Sequence, residues 1–327
     1  MDKKQLGKTN MYVNPVGLGC MGLSHAYGTA ISDEKAIEFI KKAYEIGYTF
    51  FDTAEAYIGL TAEGNISNNE VIVGNAIKEF RDDIVIASKF GVEHKGDYLI
   101  TDSKPETIRK SVEESLERLQ IDCIDLYYQH RIDSEVEAEV VAGVMEDLIE
   151  EGLIKSWGIS EANEEYLRRA HEVCPVTAIQ NRYSMLARGH ENIFKTCEEL
   201  GITFVAFSPM ANGFLTGAYT KDSKFEESDF RSFMPQYTKE GFESAKELIN
   251  LMDNLSQKKD ATMAQISLAW MMCKKDFIIP IPGTTKINNL KDNFGACNIN
   301  LTKNEIKEID LLLSNMDVPV FGGHSSS

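Results

Sequence analysis

Short apolar runs of strand-like residues alternate with segments whose apolar positions recur every three or four residues, as in amphipathic helices. Six of the runs end directly in a polar residue: Asp52, Lys89, His130, Ser160, Gln180 and Ser208. Strict alternation of strands and helices indicates a parallel sheet. Because a parallel barrel gathers the carboxyl ends of its strands at one rim, we expect these six side chains to form a single site.

The pattern predicts eight strands separated by helices, which suits a closed barrel. The strands cover residues 16–20, 49–51, 84–88, 124–129, 156–159, 177–181, 203–207 and 278–281. The helices cover residues 33–46, 67 onward, 103–119, 134–152, 164–173, 191–200, 239–258, 261–274 and 288 onward, and a last one opens at Thr302. The predicted fold class is α/β: a single (β/α)8 TIM barrel domain over residues 1–327, with an N-terminal β-hairpin within residues 1–15 and extra C-terminal helices.

Four helix starts carry the sequence of a capping box, in which a serine or threonine and a Glu or Gln three residues later bond to free backbone N–H groups. These sites are Ser67–Glu70, Ser103–Glu106, Thr262–Gln265 and Thr302–Glu305. We expect a helix to begin at each of them.

Two segments depart from the alternation. Residues 211–238 show no clear periodicity, and a connection of that length on the carboxyl rim is typical of a lid. We expect it to cover a bound cofactor. Residues 317–327 hold two glycines and three serines, so we expect a flexible tail.

The net charge of the chain limits the kinds of binding partner that we expect. The chain has 327 residues with 34 Lys plus Arg and 51 Asp plus Glu, a net charge of −17. An acidic chain repels phosphate backbones and anionic lipid, so neither nucleic acid nor membrane is expected as a partner. No stretch approaches the ~20 apolar residues of a membrane helix, and Met1–Gln5 lack the apolar core of a signal peptide. A cytoplasmic enzyme is therefore predicted, with an oligomeric state that the sequence leaves open.

Several chemistries lack their residue patterns. The six cysteines form no Cys-x-x-Cys pair, and the six histidines show no metal-binding spacing, so we expect reduced thiols and no metal site. No Gly-x-Ser-x-Gly elbow is present, and no tyrosine is followed four residues later by a lysine. Gly17-x-Gly19-x-x-Gly22 matches a dinucleotide fingerprint, but a loop follows it instead of a helix. Close backbone packing in the barrel is the preferred interpretation of these glycines.

One constellation supports a definite reaction. A phenol is a weak acid, but an ammonium beside it favours the phenolate, and a carboxylate keeps that ammonium charged. An imidazole can orient a carbonyl oxygen by a hydrogen bond. Tyr57, Lys89, Asp52 and His130 supply these groups and together could protonate a carbonyl oxygen as hydride reaches its carbon. The hydride itself must come from a cofactor.

Seven stretches resemble the aldo-keto reductase family. They are Val16–Gly22, Phe51–Tyr57, Ser88–Lys89, Ile124–His130, Trp157–Ser160, Phe207–Met210 and Ile281–Thr284. The likeness runs from about residue 6 to 316. It implies an enzyme that reduces aldehydes or ketones with NADPH, with NADH possible, and Tyr57 as proton donor. The resemblance further implies that Asp52 and Lys89 tune the tyrosine and that His130 orients the carbonyl.

The resemblance also implies a cofactor site. Its residues would be Met21, Ser160, Gln180, Phe207, Ser208, Pro209, Met210, Leu215, Gly283, Thr284, Thr285, Lys286, Asp292 and Asn293. Ser160 and Gln180 would hold the carboxamide, which Asn163 or Glu161 could share, and Phe207 would stack on the nicotinamide ring. Ser208, Met210 and Leu215 would contact the pyrophosphate, and Asp292 and Asn293 would contact the adenine. Asn289 stands where many relatives have an arginine for the 2′-phosphate, which leaves Lys286 and the threonine hydroxyls to bind it.

Two functions remain open at this stage. The first is a carbonyl reductase acting on a small aldehyde or ketone. The second is a catalytically weak nicotinamide-binding module with a regulatory or sensing role. Turnover of a carbonyl compound would separate them, and neither the physiological substrate nor the pocket walls can be read from the sequence.

Overall fold

The computed structural model describes residues 2–26, 28–95, 98–225 and 229–322 of the chain. The strands within these ranges are β1 Lys4–Gln5, β2 Tyr12–Val13, β3 Leu18–Gly19, β4 Phe50–Asp52, β5 Ile58–Leu60, β6 Ile66–Asn68, β7 Val85–Phe90, β8 Val92–Lys95, β9 Tyr98–Thr101, β10 Leu126–Gln129, β11 Trp157–Ser160, β12 Ala178–Arg182, β13 Thr203–Phe207 and β14 Ile278–Pro280. The α-helices are α1 Asp33–Ile46, α2 Asn69–Ile77, α3 Pro105–Leu119, α4 Ala138–Glu150, α5 Glu164–Val173, α6 Phe194–Leu200, α7 Lys239–Ser244, α8 Lys246–Lys259, α9 Met263–Lys274, α10 Ile287–Gly295 and α11 Lys303–Ser314.

Eight of the strands form one parallel sheet in the order β3-β4-β7-β10-β11-β12-β13-β14. The backbone N–H of Gly17, just before β3, donates to the carbonyl of Pro280 in β14 over 3.0 Å, which joins the two ends of the sheet. The predicted (β/α)8 fold is therefore confirmed. The N-terminal hairpin is confirmed as well, because β1 and β2 pair antiparallel.

The glycines near the start of the barrel have a packing role. A Cβ added to Gly17 would lie 2.7 Å from the ring of Phe50, and one added to Gly19 would lie 2.8 Å from the carbonyl oxygen of Ile281. The chain then enters a short 3-10 helix, Met21–Leu23, and a loop. Close packing of the strands therefore explains Gly17 and Gly19, in agreement with the interpretation preferred from the sequence.

Two of the four predicted capping boxes are present. Thr262 with Gln265 caps α9, and Thr302 with Glu305 caps α11. The other two predictions were wrong because long-range partners take their side chains. Ser67 donates to Asp33 over 2.7 Å, and Asn68 caps α2 in its place.

At α3, the predicted capping serine also has another partner. Ser103 accepts a hydrogen bond from Gln129 over 3.0 Å, and the helix begins at Pro105 without a side-chain cap. Pro105 suits a first helical position because its missing N–H would have no intrahelical acceptor there. Sequence spacing alone could not distinguish these two sites from the true boxes.

Three predicted helices differ from the structure by more than two residues at one end or by an internal division. The fourth starts at Ala138, after a turn that Asp133 stabilises by accepting the N–H of Glu135. The predicted helix 191–200 divides into a 3-10 turn, Gly189–Ile193, and α6. The predicted helix 239–258 divides at Ala245 into α7 and α8.

The two segments outside the alternation lie together on the carboxyl rim. The described part of the long connection after β13 contains the 3-10 helices Ala211–Thr216, Phe230–Phe233 and Pro235–Tyr237. Residues 317–322 of the predicted tail pack against it: Val318 and Val320 are buried, and the N–H of Phe321 donates to Gln236. Residues 323–327 lie outside the described ranges. No helix in the described part of the chain is long and apolar enough to cross a membrane.

Candidate active site

Strand alternation brings the predicted catalytic residues to one place. Side chains two positions apart lie on the same face of a strand. The cluster that fills the barrel interior contains Phe50 of β4, Val85 and Ala87 of β7, Leu126 and Tyr128 of β10, Ala178 of β12 and Val205 of β13. Two positions beyond the last interior residue of each of these strands, toward the carboxyl end, lie Asp52, Lys89, His130, Gln180 and Phe207. These residues therefore face the interior at the carboxyl rim.

Lys89 is the centre of the site. Its side chain is fully buried, and its Nζ lies 2.5 Å from Oδ1 of Asp52, 2.8 Å from the carbonyl oxygen of Thr53 and 3.2 Å from the hydroxyl of Tyr57. The ammonium therefore has three oxygen partners for its three protons. Such saturation is what a buried charge requires to remain charged.

The opposite charges of Lys89 and Asp52 stabilise each other and offset the cost of burying them. Burial opposes the charge on Lys89, but Asp52 and Tyr57 outweigh it and raise the pKa of Lys89. Burial raises the pKa of Asp52, whereas Lys89 and a 2.8 Å hydrogen bond from Nε2 of Gln180 act in the opposite direction. Lys89 is therefore a cation, fixed in position by the carboxylate.

Tyr57 lies at the mouth with its hydroxyl directed at the lysine. Burial raises the pKa of Tyr57, and the positive charges of Lys89 and Arg131 lower it. The sequence predicted the direction of the lysine effect but not that burial exceeds it. Tyr57 is consequently a protonated phenol at neutral pH, which is the form that a proton donor needs.

His130 lies beside the phenol, with its ring edge-on to Tyr57 at a centroid distance of 5.6 Å. Burial, followed by the charges of Lys89 and Arg131, lowers the pKa of His130 well below its usual range, so its imidazole is neutral at neutral pH. Its Nδ1 is buried and has no hydrogen-bond partner among the described residues. A neutral ring at this position can donate to a carbonyl oxygen without adding a third charge.

The residues predicted for the nicotinamide end meet around the same mouth. Oγ of Ser160 accepts a hydrogen bond from Nη1 of Arg131 over 3.1 Å, and Gln180 is occupied with Asp52. The guanidinium carbons of Arg131 and Arg182 lie 6.0 Å and 5.0 Å from the ring centre of Phe207. Met21 lies in the 3-10 helix after β3.

The two candidates for a shared carboxamide contact have other bonds. Oδ1 of Asn163 accepts the N–H of Tyr166 over 2.9 Å and caps α5. Glu161 has a positive φ of 58° and accepts the N–H of Arg182 over 2.9 Å. Both are therefore part of the local backbone framework.

The segment predicted to bind the pyrophosphate follows β13 directly. Ser208, Ala211 and Asn212 all have positive φ values between 48° and 59°, a conformation that favours glycine. The N–H groups of Ala211, Gly213 and Leu215 bond to carbonyls within the segment. Pro209, Met210 and Leu215 are buried beneath it, so an unusual backbone path is held rigidly at the rim.

The remaining predicted cofactor residues surround the start of α10. The N–H of Lys286 donates to Oγ1 of Thr284 over 3.1 Å, and Gly283, Thr285 and Lys286 are exposed. The amino terminus of a helix attracts phosphate through its free N–H groups. Asp292, which accepts from Thr262 over 2.8 Å, and Asn293 lie further along the helix.

Asn293 provides a test of the cofactor site. Its side chain is 2% exposed, and its Nδ2 has no hydrogen-bond partner among the described residues. A buried amide donor without a partner is costly, and an acceptor on a ligand would satisfy it. The helix terminus, the basic Lys286 and this amide therefore fit the phosphate and adenine end of a dinucleotide.

Three residues of the mouth were missed by the sequence analysis. The ring of His25 stacks on Tyr57 at 6.1 Å and lies 4.9 Å from the ring of His94. Arg131 follows His130 directly, and nothing in its spacing distinguished it from a surface arginine. In the described ranges no group of three or more His, Cys, Asp or Glu side chains could hold a metal ion.

A sequence model of the Aldo/keto reductase family matches residues 15–314. This chain belongs to that family. The matched range contains the eight barrel strands described above and the residues Asp52, Tyr57, Lys89 and His130. The resemblance drawn from short motifs is therefore confirmed along nearly the whole length of the chain.

Individual relatives agree with this assignment. Probable aldo-keto reductase 1 of Glycine max is 40% identical over 309 residues, which is 93% of this chain and 87% of that protein. The glycerol dehydrogenase AKR11B4 from Gluconobacter oxydans is 26% identical, with a TM-score of 0.84 and 98% of each chain covered. An aldo-keto reductase from Klebsiella pneumoniae in complex with NADPH, at 24% identity and a TM-score of 0.72 over 96% of each chain, shares the fold.

Proposed function

We propose that this aldo-keto reductase family member reduces aldehydes or ketones to alcohols with NADPH, using Tyr57 as the proton donor. The observation that carries the proposal is the buried contact of Lys89 with both Asp52 and Tyr57, at 2.5 Å and 3.2 Å. A fully buried lysine that is fixed by a carboxylate and aimed at a phenol is poised to stabilise a phenolate. A purely structural ion pair would not need the phenol.

The proton follows a short path. As the substrate carbon is reduced, Tyr57 transfers its hydroxyl proton to the carbonyl oxygen, which becomes the alcohol hydroxyl. The resulting phenolate lies next to the ammonium of Lys89, whose charge stabilises it. Asp52 keeps that ammonium in place, and a proton from solvent restores the phenol before the next turnover.

His130 orients the substrate. Its neutral imidazole has one N–H to donate, and its ring lies edge-on to Tyr57. A hydrogen bond from this ring would place the carbonyl oxygen within reach of the tyrosine hydroxyl. A protonated imidazole would compete with Lys89 for the phenolate, so the lowered pKa of His130 serves the reaction.

Bound NADPH supplies the hydride, which no side chain can provide. Ser160 and Gln180 would hold its carboxamide, and the aromatic face of Phe207 would support the ring. Lys286 and the hydroxyls of Thr284 and Thr285 would bind the ribose phosphate at the amino terminus of α10. Because Asn289 offers no charge there, we expect a modest preference for NADPH and measurable activity with NADH.

The test is a comparison of tyrosine variants. Purified protein is assayed with NADPH and substituted benzaldehydes, following cofactor oxidation. Tyr57→Phe should lose activity by roughly 100- to 10,000-fold, the usual contribution of a general acid. Tyr44→Phe is the matched control, because Tyr44 lies on α1 and its exposed hydroxyl donates to Asp83 over 2.7 Å, away from the site.

Cofactor binding separates the outcomes. Tyr57→Phe should bind NADPH with unchanged affinity, measured by the quenching of protein fluorescence. Full activity in this variant would reject Tyr57 as the acid. Tight NADPH binding without turnover of any carbonyl by the wild type would reject the reductase and favour the sensing module.

A further inference from the structure

Most arginines of this acidic chain are paired with a carboxylate, but Arg131 is an exception. Seven of them pair with a carboxylate in the described structure, as Arg118 does with Glu70 and Arg169 does with Glu139. Arg131 has no carboxylate partner among the described residues. In a chain with 51 acidic residues, an unpaired arginine at the mouth of the candidate active site calls for a physical reason.

The position of Arg131 makes its charge available to a ligand. It is half-buried, and its side-chain hydrogen bonds within the described ranges all use one nitrogen: Nη1 donates to the carbonyl of His130 over 2.6 Å and to Oγ of Ser160 over 3.1 Å. Within the described structure, Nε and Nη2 have no hydrogen-bond partner. These two nitrogens form the edge of the guanidinium that binds a carboxylate through two parallel hydrogen bonds.

The charge of Arg131 acts on the side chains that line the mouth. Besides the larger effect of burial, the positive charge of Arg131 acts to lower the pKa of Tyr57, His94 and His130. The ring of His25 lies 6.1 Å from the ring of Tyr57 and 4.9 Å from the ring of His94, so polar side chains also line this part of the mouth. Arg131 therefore brings a positive charge without a carboxylate partner among the described residues to the mouth of a chain whose net charge is −17.

The cofactor does not account for this charge. Under the proposed function, Ser160 and Phe207 hold the nicotinamide end, which has no anionic group. The phosphates would lie along residues 208–215 and 283–286. Binding of the carboxamide to Ser160 would release Nη1 of Arg131 and leave the guanidinium facing the substrate.

We propose that Arg131 binds a carboxylate of the substrate, so that the preferred substrates are aldehydes or ketones with a carboxylate near the carbonyl. This inference rests on the proposed function. The carboxylate and the carbonyl would be bound by adjacent residues of one strand end, Arg131 and His130. That arrangement would also fix the orientation of the carbonyl toward Tyr57.

The experiment compares matched acids and esters. The substrates are 2-, 3- and 4-carboxybenzaldehyde and their methyl esters, which keep the ring and the aldehyde and remove the charge. We expect the wild type to show at least a tenfold higher kcat/KM for one acid than for its ester. Arg131→Gln should reduce this ratio by roughly 10- to 100-fold, the range for a charge-assisted hydrogen bond, mainly by raising KM for the acid.

Two further variants define the cause. Arg131→Lys keeps the charge but loses the paired donors, so its ratio should lie between those of the wild type and Arg131→Gln. Arg169→Gln removes one positive charge from the exposed surface of α5 and should leave the ratio unchanged. This comparison excludes a general effect of net charge.

Each outcome decides a different point. Reduction of the esters without preference for any acid would overturn this inference and leave the proposed function standing. An acid-to-ester ratio that is unchanged in Arg131→Gln, together with weaker NADPH binding, would assign Arg131 to the cofactor and also overturn it. Absence of turnover with every aldehyde would reject the proposed function itself, and this inference with it.

Discussion

Replacing Lys89 with methionine tests whether the core of the site is a buried ion pair. Nζ of Lys89 lies 2.5 Å from Asp52, and the two side chains are 0% and 3% exposed. Methionine has a similar length and fills most of the same space, so the substitution removes the charge and leaves the packing largely intact. Among the described residues, the carboxylate of Asp52 then keeps only the hydrogen bond from Gln180.

The expected cost is large and depends on pH. Removing one partner of a buried ion pair costs about 3–5 kcal/mol, because the other charge stays buried without compensation. The carboxyl of Asp52 can avoid this cost by binding a proton. Burial already raises the pKa of Asp52, and removal of Lys89 takes away the main influence that lowers it.

The sign of the pH effect follows from this pKa. In the variant, the pKa of Asp52 is higher in the folded protein than in the unfolded chain, so the folded state binds more protons. The free energy of unfolding therefore falls as pH rises above the unfolded pKa of ~3.9, by up to about 1.4 kcal/mol per pH unit, until the pH exceeds the folded pKa. The variant should be more stable at pH 5.5 than at pH 8.5, relative to the wild type.

Urea unfolding followed by circular dichroism at pH 5.5, 7 and 8.5 measures these differences. Lys42→Met is the control, since the side chain of Lys42 is 47% exposed and, in the described part of the chain, forms an ion pair only with Glu45. This substitution should change the free energy of unfolding by less than about 0.5 kcal/mol. The double variant Asp52→Asn with Lys89→Met should lose the pH dependence. A loss in Lys89→Met below about 1 kcal/mol at pH 8.5, or one equal at all three pH values, would refute the reasoning.

Two further predictions concern the scaffold. Gly74→Ala in α2 should lower the free energy of unfolding by about 1–3 kcal/mol, although alanine has the better helix propensity, because the added Cβ would lie 2.4 Å from the carbonyl oxygen of Leu119. Gly143→Ala is the control and should not destabilise the protein, because nothing lies within 4 Å of its added Cβ. Burial opposes the charge of Glu191, but Arg188 and Lys274 outweigh it and lower its pKa to about 2. Glu191→Gln should therefore cost up to about 3 kcal/mol at pH 7, and urea unfolding should show this gap narrowing as pH falls below about 4.5.

The sequence predicted most of the regular structure because each element carries its own periodicity. The bounds of α1, α5 and β13 agree with their predictions, and strand alternation alone places Asp52 and Lys89 on one face of the barrel. Local signals failed where a side chain has a distant partner. Ser67 and Ser103 have the spacing of helix caps, yet one bonds to α1 and the other to β10.

By itself, then, the chain determined the alternation of strands and helices and the kinds of chemical group that meet at the rim. Both follow from residue types and spacings that act over a few positions. Only the tertiary structure decided that burial exceeds the effect of Lys89 on the pKa of Tyr57 and that Arg131 lies unpaired beside it. Burial and charge pairing depend on residues far apart in the sequence, and their sum exists only once the barrel has closed.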